Sequence, residues 1–275
     1  MAIEISAVHR KPFDSKNSNT AWRKPFLKIG HGGASGHAPA NSLASLRTAL
    51  DMGVDMVEFD VRPCRDALVL VHDAYLKTAH APERLVSQCS LAELRALALN
   101  PEFRIATLPE ALDLLMGRAL INIDLKAAGY EIEVHELVRA RGLAAEVLYS
   151  SVIPSSLLRI AQAAPEVKIG LSYPEDRSGA SSKPYLKPVV NTFLAAMRLT
   201  LPYRILSMMA KAQASAVMLY HKIVSPRVVQ VVQRAEGRVF TWTVDDPRTM
   251  SKLRAMGVNG ITTNYPDLFD TSPGL

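Results

Sequence analysis

At 275 residues, with 48% apolar and 21% charged residues, the chain can bury a full core without disulfide or metal staples, and global disorder is excluded. Its net charge of +6 gathers in two places: residues 1–30 hold six Lys/Arg against two acids, and residues 174–225 hold seven against two. Aromatics are only 6%, with no basic stripe, zinc-finger, RNP or basic-zipper pattern, so no nucleic-acid partner is expected.

Residues 1–25 read as a polar arm with no apolar signal region, and no apolar run approaches the roughly 18 residues that span a bilayer. Cys64 and Cys89 form no disulfide framework and suit a reducing compartment, so a cytoplasmic protein is expected. Short β-branched runs then alternate with longer helical patterns. The strand candidates are 26–31, 55–61, 120–126, 146–151, 167–172, 215–220, 238–244 and 258–263. Apolar residues at helical spacing fill 41–52, 155–164, 226–236 and 246–256, with Asn41-Ser42 placed to cap the first and Gly53 to end it.

A ninth run, 67–72 (ALVLVH), follows the second strand too closely for a parallel crossover and predicts a short hairpin strand. Eight strands with helical crossovers predict an α/β fold, a single (β/α)8 TIM barrel over 26–270, ahead of a doubly wound sheet. Residues 174–214 are longer than a barrel connection needs and read as a helical insertion, with Pro202 expected to split its helix. The apolar, basic stretch 188–213 is a candidate for peripheral membrane contact, against a packed lid or a dimer face. No motif speaks to oligomeric state.

Chemistry in such a barrel sits at the C-terminal ends of the strands. His31 ends the first strand. Glu58 and Asp60, two apart on the second, share one face, and that face is the interior because Val57, Phe59 and Val61 need the helix layer. Two acids facing inward are held either by a hard divalent cation such as Mg²⁺ or Ca²⁺ or by a neighbouring Lys or Arg. In INIDLK, Asn122, Asp124 and Lys126 share a face; Asp124 is a candidate third carboxylate and Lys126 a candidate partner for an anionic substrate, against a plain Asp–Lys ion pair. His72-Asp73 closes the hairpin run. His221, at the end of the sixth strand, is a candidate pocket residue. His9, His37, His80 and His135 read as surface or loop histidines.

These segments resemble the glycerophosphodiester phosphodiesterases. The family opens with H-R-G leading to A-P-E-N-T, where this chain has GHGGASGHAPANS at 30–42. Its E-L-D-V and later H-D resemble EFDV at 58–61 and HD at 72–73, and its E-I-K resembles DLK at 124–126. W-T-V-N is similar to WTVD at 242–245, and G-V-D-G-I-I-T-D-x-P-D to GVNGITTNYPD at 257–267. The resemblance implies a barrel phosphodiesterase using one divalent cation, Mg²⁺ or Ca²⁺, on glycerophosphodiesters, yielding glycerol 3-phosphate and an alcohol. It implies that Glu58, Asp60 and Asp124 hold the metal, that His31 and His72 form the acid–base pair, and that Lys126 contacts phosphate, with Trp242 in the wall.

Three departures stand out: Gly32 replaces the family Arg, Ala40 the Glu of A-P-E-N-T, and Asp124 the Glu of E-I-K. Losing a cation and an anion together keeps the local charge balanced, which suggests a rearranged pocket. Arg62 follows Asp60 on the same face and is a candidate to restore the lost positive charge; the plainer reading puts it in an exposed turn over 62–66. A lysophospholipase-D-type enzyme on lipid phosphodiesters, and a barrel that binds phosphodiesters without turnover, are the competing functions.

Overall fold

A computed structural model describes residues 13, 20–76, 83–97, 104–175 and 183–271. The strands are β1 (Leu27–Gly30), β2 (Met56–Pro63), β3 (Leu68–Val69), β4 (Tyr75–Leu76), β5 (Arg84–Leu85), β6 (Leu120–Leu125), β7 (Val147–Ser151), β8 (Lys168–Tyr173), β9 (Ala216–Tyr220), β10 (Arg238–Trp242) and β11 (Gly260–Thr263). The helices are α1 (Leu43–Asp51), α2 (Leu91–Leu97), α3 (Leu108–Leu115), α4 (Glu131–Ala140), α5 (Pro154–Ala163), α6 (Lys187–Lys211), α7 (Pro226–Arg234), α8 (Pro247–Ala255) and α9 (Leu268–Thr271). Eight strands pair in parallel in the ring order β1, β2, β6, β7, β8, β9, β10, β11. The ring closes because β1 pairs with both β11 (Leu27↔Gly260) and β2 (Ile29↔Met56). This is the expected (β/α)8 barrel. The ninth run appears as β3, antiparallel to the end of β2 through Arg62↔Val69, outside the ring. β4 and β5 form a small separate hairpin.

Period-two alternation divides the strand residues between two cores. Val57, Phe59, Val61, Ile121, Ile123 and Leu125 face the helix layer, where they pack with Leu46, Leu112 and Val134. The inner faces of the strands meet inside the barrel, where Ile29, Met56, Leu120, Leu148, Met218 and Phe240 form a second core at the end opposite the strand C-termini. Phe13 and Trp22 belong to that inner core, 2% and 0% exposed, so the polar-arm expectation for residues 1–25 does not hold at these positions. The reason is chemical. Lys168 and Arg238 point into the barrel base, and aromatic faces cover them: Lys168 Nζ lies 5.3 Å from both the Phe13 and Trp22 ring centroids. The Arg238 guanidinium lies 4.9 Å from Phe13. Trp22 Nε1 donates to Ala145 O at 2.7 Å.

The four predicted helices appear as α1, α5, α7 and α8. Ser42 caps α1, its side chain accepting from Ser45 N at 3.1 Å, and Asp246 caps α8. Pro202 does not split its helix: α6 runs unbroken from Lys187 to Lys211. Proline costs a backbone hydrogen bond in a helix interior. Here buried Leu201, Pro202, Ile205 and Met209 pack against the barrel and hold the helix together across it.

Candidate active site

A cavity of about 480 Å³ opens at the C-terminal end of the barrel. Residues from all eight ring strands or the turns after them line it, including His31, Glu58, Asn122, Ser150, Ser172, Met218, Trp242 and Thr262. The parallel register of β2 with β6 sets Glu58 beside Asn122 and Asp60 beside Asp124. Oxygens of Glu58, Asp60 and Asp124 all lie within 4.8 Å of one another, and the three residues are buried.

The surroundings hold these acids in place. Gly32 N–H donates to Glu58 Oε2 at 2.9 Å. Asn41 grips Asp60 twice, donating from Nδ2 to Oδ2 at 2.8 Å and accepting from the Asp60 N–H at 3.0 Å. Asn41 takes a left-handed φ of 62° to do so, which leaves capping of α1 to Ser42. Lys126 Nζ bridges the two aspartates, 2.9 Å from Asp60 Oδ1 and 2.6 Å from Asp124 Oδ2. The ion-pair reading therefore holds for Lys126, yet one ammonium faces three carboxylates. Buried Asp124 Oδ1 and Asn122 Oδ1 find no hydrogen-bond donor among the described residues.

Electrostatics expose the imbalance. Burial, with the charge of Asp60 added to it, pushes the Glu58 carboxyl up to about 7. Burial also works against the charged form of Asp60, but Lys126, His72 and Asn41 outweigh it and hold that carboxyl below its usual range. Burial opposes the Lys126 charge as well; Asp124, Asp60 and Glu58 overcome it and keep the ammonium protonated far beyond the usual lysine range. Three carboxylate oxygens close together, with too little positive charge among them to favour full ionisation and with unpartnered oxygens beside them, fit a hard oxygen-seeking cation.

The two histidines line the same cavity as Glu58 and Asp124. His31 Nδ1 lies 2.6 Å from Asn264 Oδ1, which also accepts from the Ser35 hydroxyl. Asn264 is oriented by Asp245, donating from Nδ2 to Oδ2 at 2.6 Å and from its backbone N–H to Oδ1 at 2.9 Å. With the amide nitrogen spent on Asp245, its oxygen faces His31, so Nδ1 carries the proton and Nε2 is left for the cavity. Burial lowers the His31 pKa, but Glu58, Asn264 and Asp60 reverse the effect and the net shift is upward. His72 lines the mouth, with a 62% exposed side chain and Nδ1 2.8 Å from Asp73 Oδ1.

Two expectations need correction. Arg62 is not in a solvent turn: it is part of β2, lines the cavity, and donates from Nε to His72 O at 2.8 Å. β2 runs longer than the spacing suggests because β3 pairs with its last residues. His221 is not among the residues lining the cavity. It opens a 3-10 turn after β9, and its ring packs on Tyr220 with centroids 4.5 Å apart. Trp242 does line the cavity, its Nε1 donating to Met218 O at 2.9 Å. Among the remaining histidines, His37 pairs with Asp267 at 2.6 Å, whereas His135 is buried in α4 beside the Tyr149 hydroxyl. His9 and His80 lie outside the described residues.

Sequence reasoning missed Asn41, Asp245 and Asn264 as orienting groups. A signal existed for the last two. Where the resembled motifs carry Asn and then Asp, this chain carries Asp245 and then Asn264, and the exchanged pair is in direct contact. The other coupled departure is also a contact. A Cβ built on Gly32 would lie 3.2 Å from the Ala40 Cβ, so positions 32 and 40 face each other. Gly32 has φ +53°, a conformation that side chains other than glycine rarely adopt.

Comparison with known proteins agrees with this geometry. The model of the "Glycerophosphoryl diester phosphodiesterase family" matches residues 31–268. A glycerophosphodiester phosphodiesterase of Caldanaerobacter subterraneus subsp. tengcongensis is 27% identical over 255 residues, covering 88% of this chain and 95% of the relative. A probable glycerophosphodiester phosphodiesterase 1 of Mycobacterium tuberculosis is 30% identical over 269 residues, covering 88% and 90%. Among solved structures, a phosphodiesterase of Oleispira antarctica in complex with its product sn-glycerol-3-phosphate shares the fold. Its TM-score is 0.72 at 23% identity, over 92% of this chain and 98% of that one. The chain belongs to the glycerophosphodiester phosphodiesterase family and is a phosphoric diester hydrolase built on a (β/α)8 barrel.

Proposed function

We propose that the cavity hydrolyses glycerophosphodiesters to glycerol 3-phosphate and an alcohol with one divalent cation, Mg²⁺ or Ca²⁺, held by Glu58, Asp60 and Asp124. The observation that carries this reading is the buried cluster of three carboxylates, within 4.8 Å of one another, at a cavity that two histidines also line. The bound cation would supply positive charge against a phosphoryl oxygen as negative charge grows there. Lys126 and Arg62, both lining the cavity, add fixed positive charge for the phosphate and orient it. Of His31 and His72, one takes the proton from the attacking water and the other protonates the departing alkoxide, so that the bond from phosphorus to the alcohol oxygen breaks without releasing a free alkoxide. Asp245, through Asn264, keeps His31 in the tautomer whose Nε2 meets the substrate. Trp242 and Met218 form an apolar wall for the alcohol group. The product bound in the Oleispira antarctica structure supports glycerol 3-phosphate as the retained half.

The test is cleavage of glycerophosphocholine and lysophosphatidylcholine with Mg²⁺, Ca²⁺ or EDTA. Ion-dependent cleavage of glycerophosphocholine that EDTA abolishes, and that Glu58→Ala lowers by at least ~10²-fold, is expected. Faster cleavage of lysophosphatidylcholine would favour the lysophospholipase-D-type reading instead. That reading is supported by the exposed apolar side chains Tyr185, Val189 and Phe193 in the connection that leaves the cavity at Pro174 and Glu175.

A further inference from the structure

The connection between β8 and β9 is unlike the other walls of the barrel. Helix α6 has 25 residues, about 37 Å at 1.5 Å per residue, whereas α7 and α8 have nine each. Arg198 Nη1 donates to Lys222 O at 3.5 Å, and Lys222 follows β9 at the end where the cavity opens. Arg198 is therefore level with the rim. The eleven helical residues before it, about 16 Å of helix, rise on the side of the cavity mouth.

The two faces of this helix differ. Leu194, Leu201, Ile205 and Met209 turn inward and are buried. On the opposite face Val189, Phe193, Ala196, Thr200 and Tyr203 recur at i, i+4, i+7, i+11 and i+14. Val189, Phe193 and Tyr203 are 67%, 61% and 71% exposed, and Leu199 beside them is 75% exposed. Single exposed apolar residues need no explanation, but several large ones recurring on the outer side of one helix mark an interaction surface.

Charge selects the occupant. From Lys183 to Ala214 the chain carries five Lys/Arg and no Asp or Glu. Lys187, Arg204 and Lys211 are exposed. Arg227 of α7 extends the basic border, its guanidinium 4.4 Å from the Tyr203 ring centroid. A second copy of the chain docked on this face would set cations against cations. An anionic lipid surface offers both an apolar layer for the large side chains and phosphates for the border. No helix among the described residues is long and apolar enough to cross a membrane, so α6 would lie on the surface.

We propose that the outer face of α6 docks the enzyme on anionic lipid bilayers, placing Val189, Phe193 and Leu199 at the headgroup–acyl boundary. The test uses the full chain in sedimentation with phosphatidylglycerol and with phosphatidylcholine vesicles, at low and high salt. A Val189→Asp/Phe193→Asp/Leu199→Asp variant is run in parallel. Its glycerophosphocholine hydrolysis and thermal melting are expected to match the parent, because these side chains touch neither the cavity nor the core.

The parent is expected to pellet with phosphatidylglycerol, at least ~10-fold more weakly with phosphatidylcholine or in high salt, and the variant at least ~10-fold more weakly than the parent. Equal binding to both lipids, or undiminished binding by the variant, would overturn the proposal. A parent dimer in size-exclusion chromatography that the variant breaks into monomers would overturn it too, assigning the face to self-association. Binding is read without substrate, so a protein that cleaves nothing but pellets as stated contradicts the catalytic reading alone.

Discussion

His31 is oriented by a relay of two side chains that ends in a charge: Asp245 fixes the Asn264 amide, and the amide oxygen accepts from His31 Nδ1. Asp245→Asn leaves two amides that either pair or flip, and Asn264→Asp sets two carboxylates against each other. Each substitution is expected to lower kcat by about 10–100-fold with little change in KM, as loss of an orienting partner typically does. The double exchange, which restores one amide and one carboxylate, is expected to recover at least ~10-fold over either single variant in steady-state kinetics. Recovery of neither kcat nor fold stability would contradict the relay. Gly32 and Ala40 form a second unit. Arg at 32 alone must accept φ +53° and a Cβ 3.2 Å from that of Ala40, so Gly32→Arg is expected to cost about 1–2 kcal/mol in chemical denaturation. The motif departures at 32, 40, 245 and 264 were legible as letters. That they are two contacting pairs was not, because the partners of each pair come from different positions along the chain.

At the scale of elements, the alternation in EFDV and INIDLK was enough to place three acids and Lys126 on one inward face, and the parallel register of β2 and β6 brings them together. Strand extent was less legible. Arg62 belongs to β2 because β3 pairs with its end, a tertiary contact invisible to a local pattern. His221 shows a different limit: the strand ends at Tyr220 as expected, but His221 opens a 3-10 turn instead of extending it. The base of the barrel was misread for a different reason. Trp22 and Phe13 are isolated aromatics in a polar stretch, and periodicity has nothing to say about a lone plug. Trp22 is fully buried, hydrogen-bonded to Ala145 O, and covers Lys168. Trp22→Ala is expected to cost about 3–5 kcal/mol in urea denaturation with the site's cation dependence unchanged. A change below ~1 kcal/mol would show that the barrel closes without the plug.

For the molecule as a whole, eight β-branched runs, most of them separated by helical patterns, sufficed to put the barrel ahead of a doubly wound sheet, because eight strands with helical crossovers suit a closed parallel ring. The charge asymmetry was legible too. Of the basic segment 174–225, Lys187, Arg204 and Lys211 are exposed on α6, while the barrel interior concentrates the opposite charge at one end, where the three acids outnumber Lys126. That local excess of negative charge is the feature on which the proposed cation site rests, with His31 and His72 lining the same cavity as the proposed acid–base pair. The most direct test strips the protein with EDTA and titrates Mg²⁺ or Ca²⁺ back while glycerophosphocholine cleavage is followed, with Asp124→Asn in parallel. Activity should be absent in the stripped protein, return with a single saturating ion, and demand at least ~10-fold more ion in the variant. Full activity in EDTA, or an unchanged ion requirement in Asp124→Asn, would show that Glu58, Asp60 and Asp124 do not hold the ion that the reaction uses.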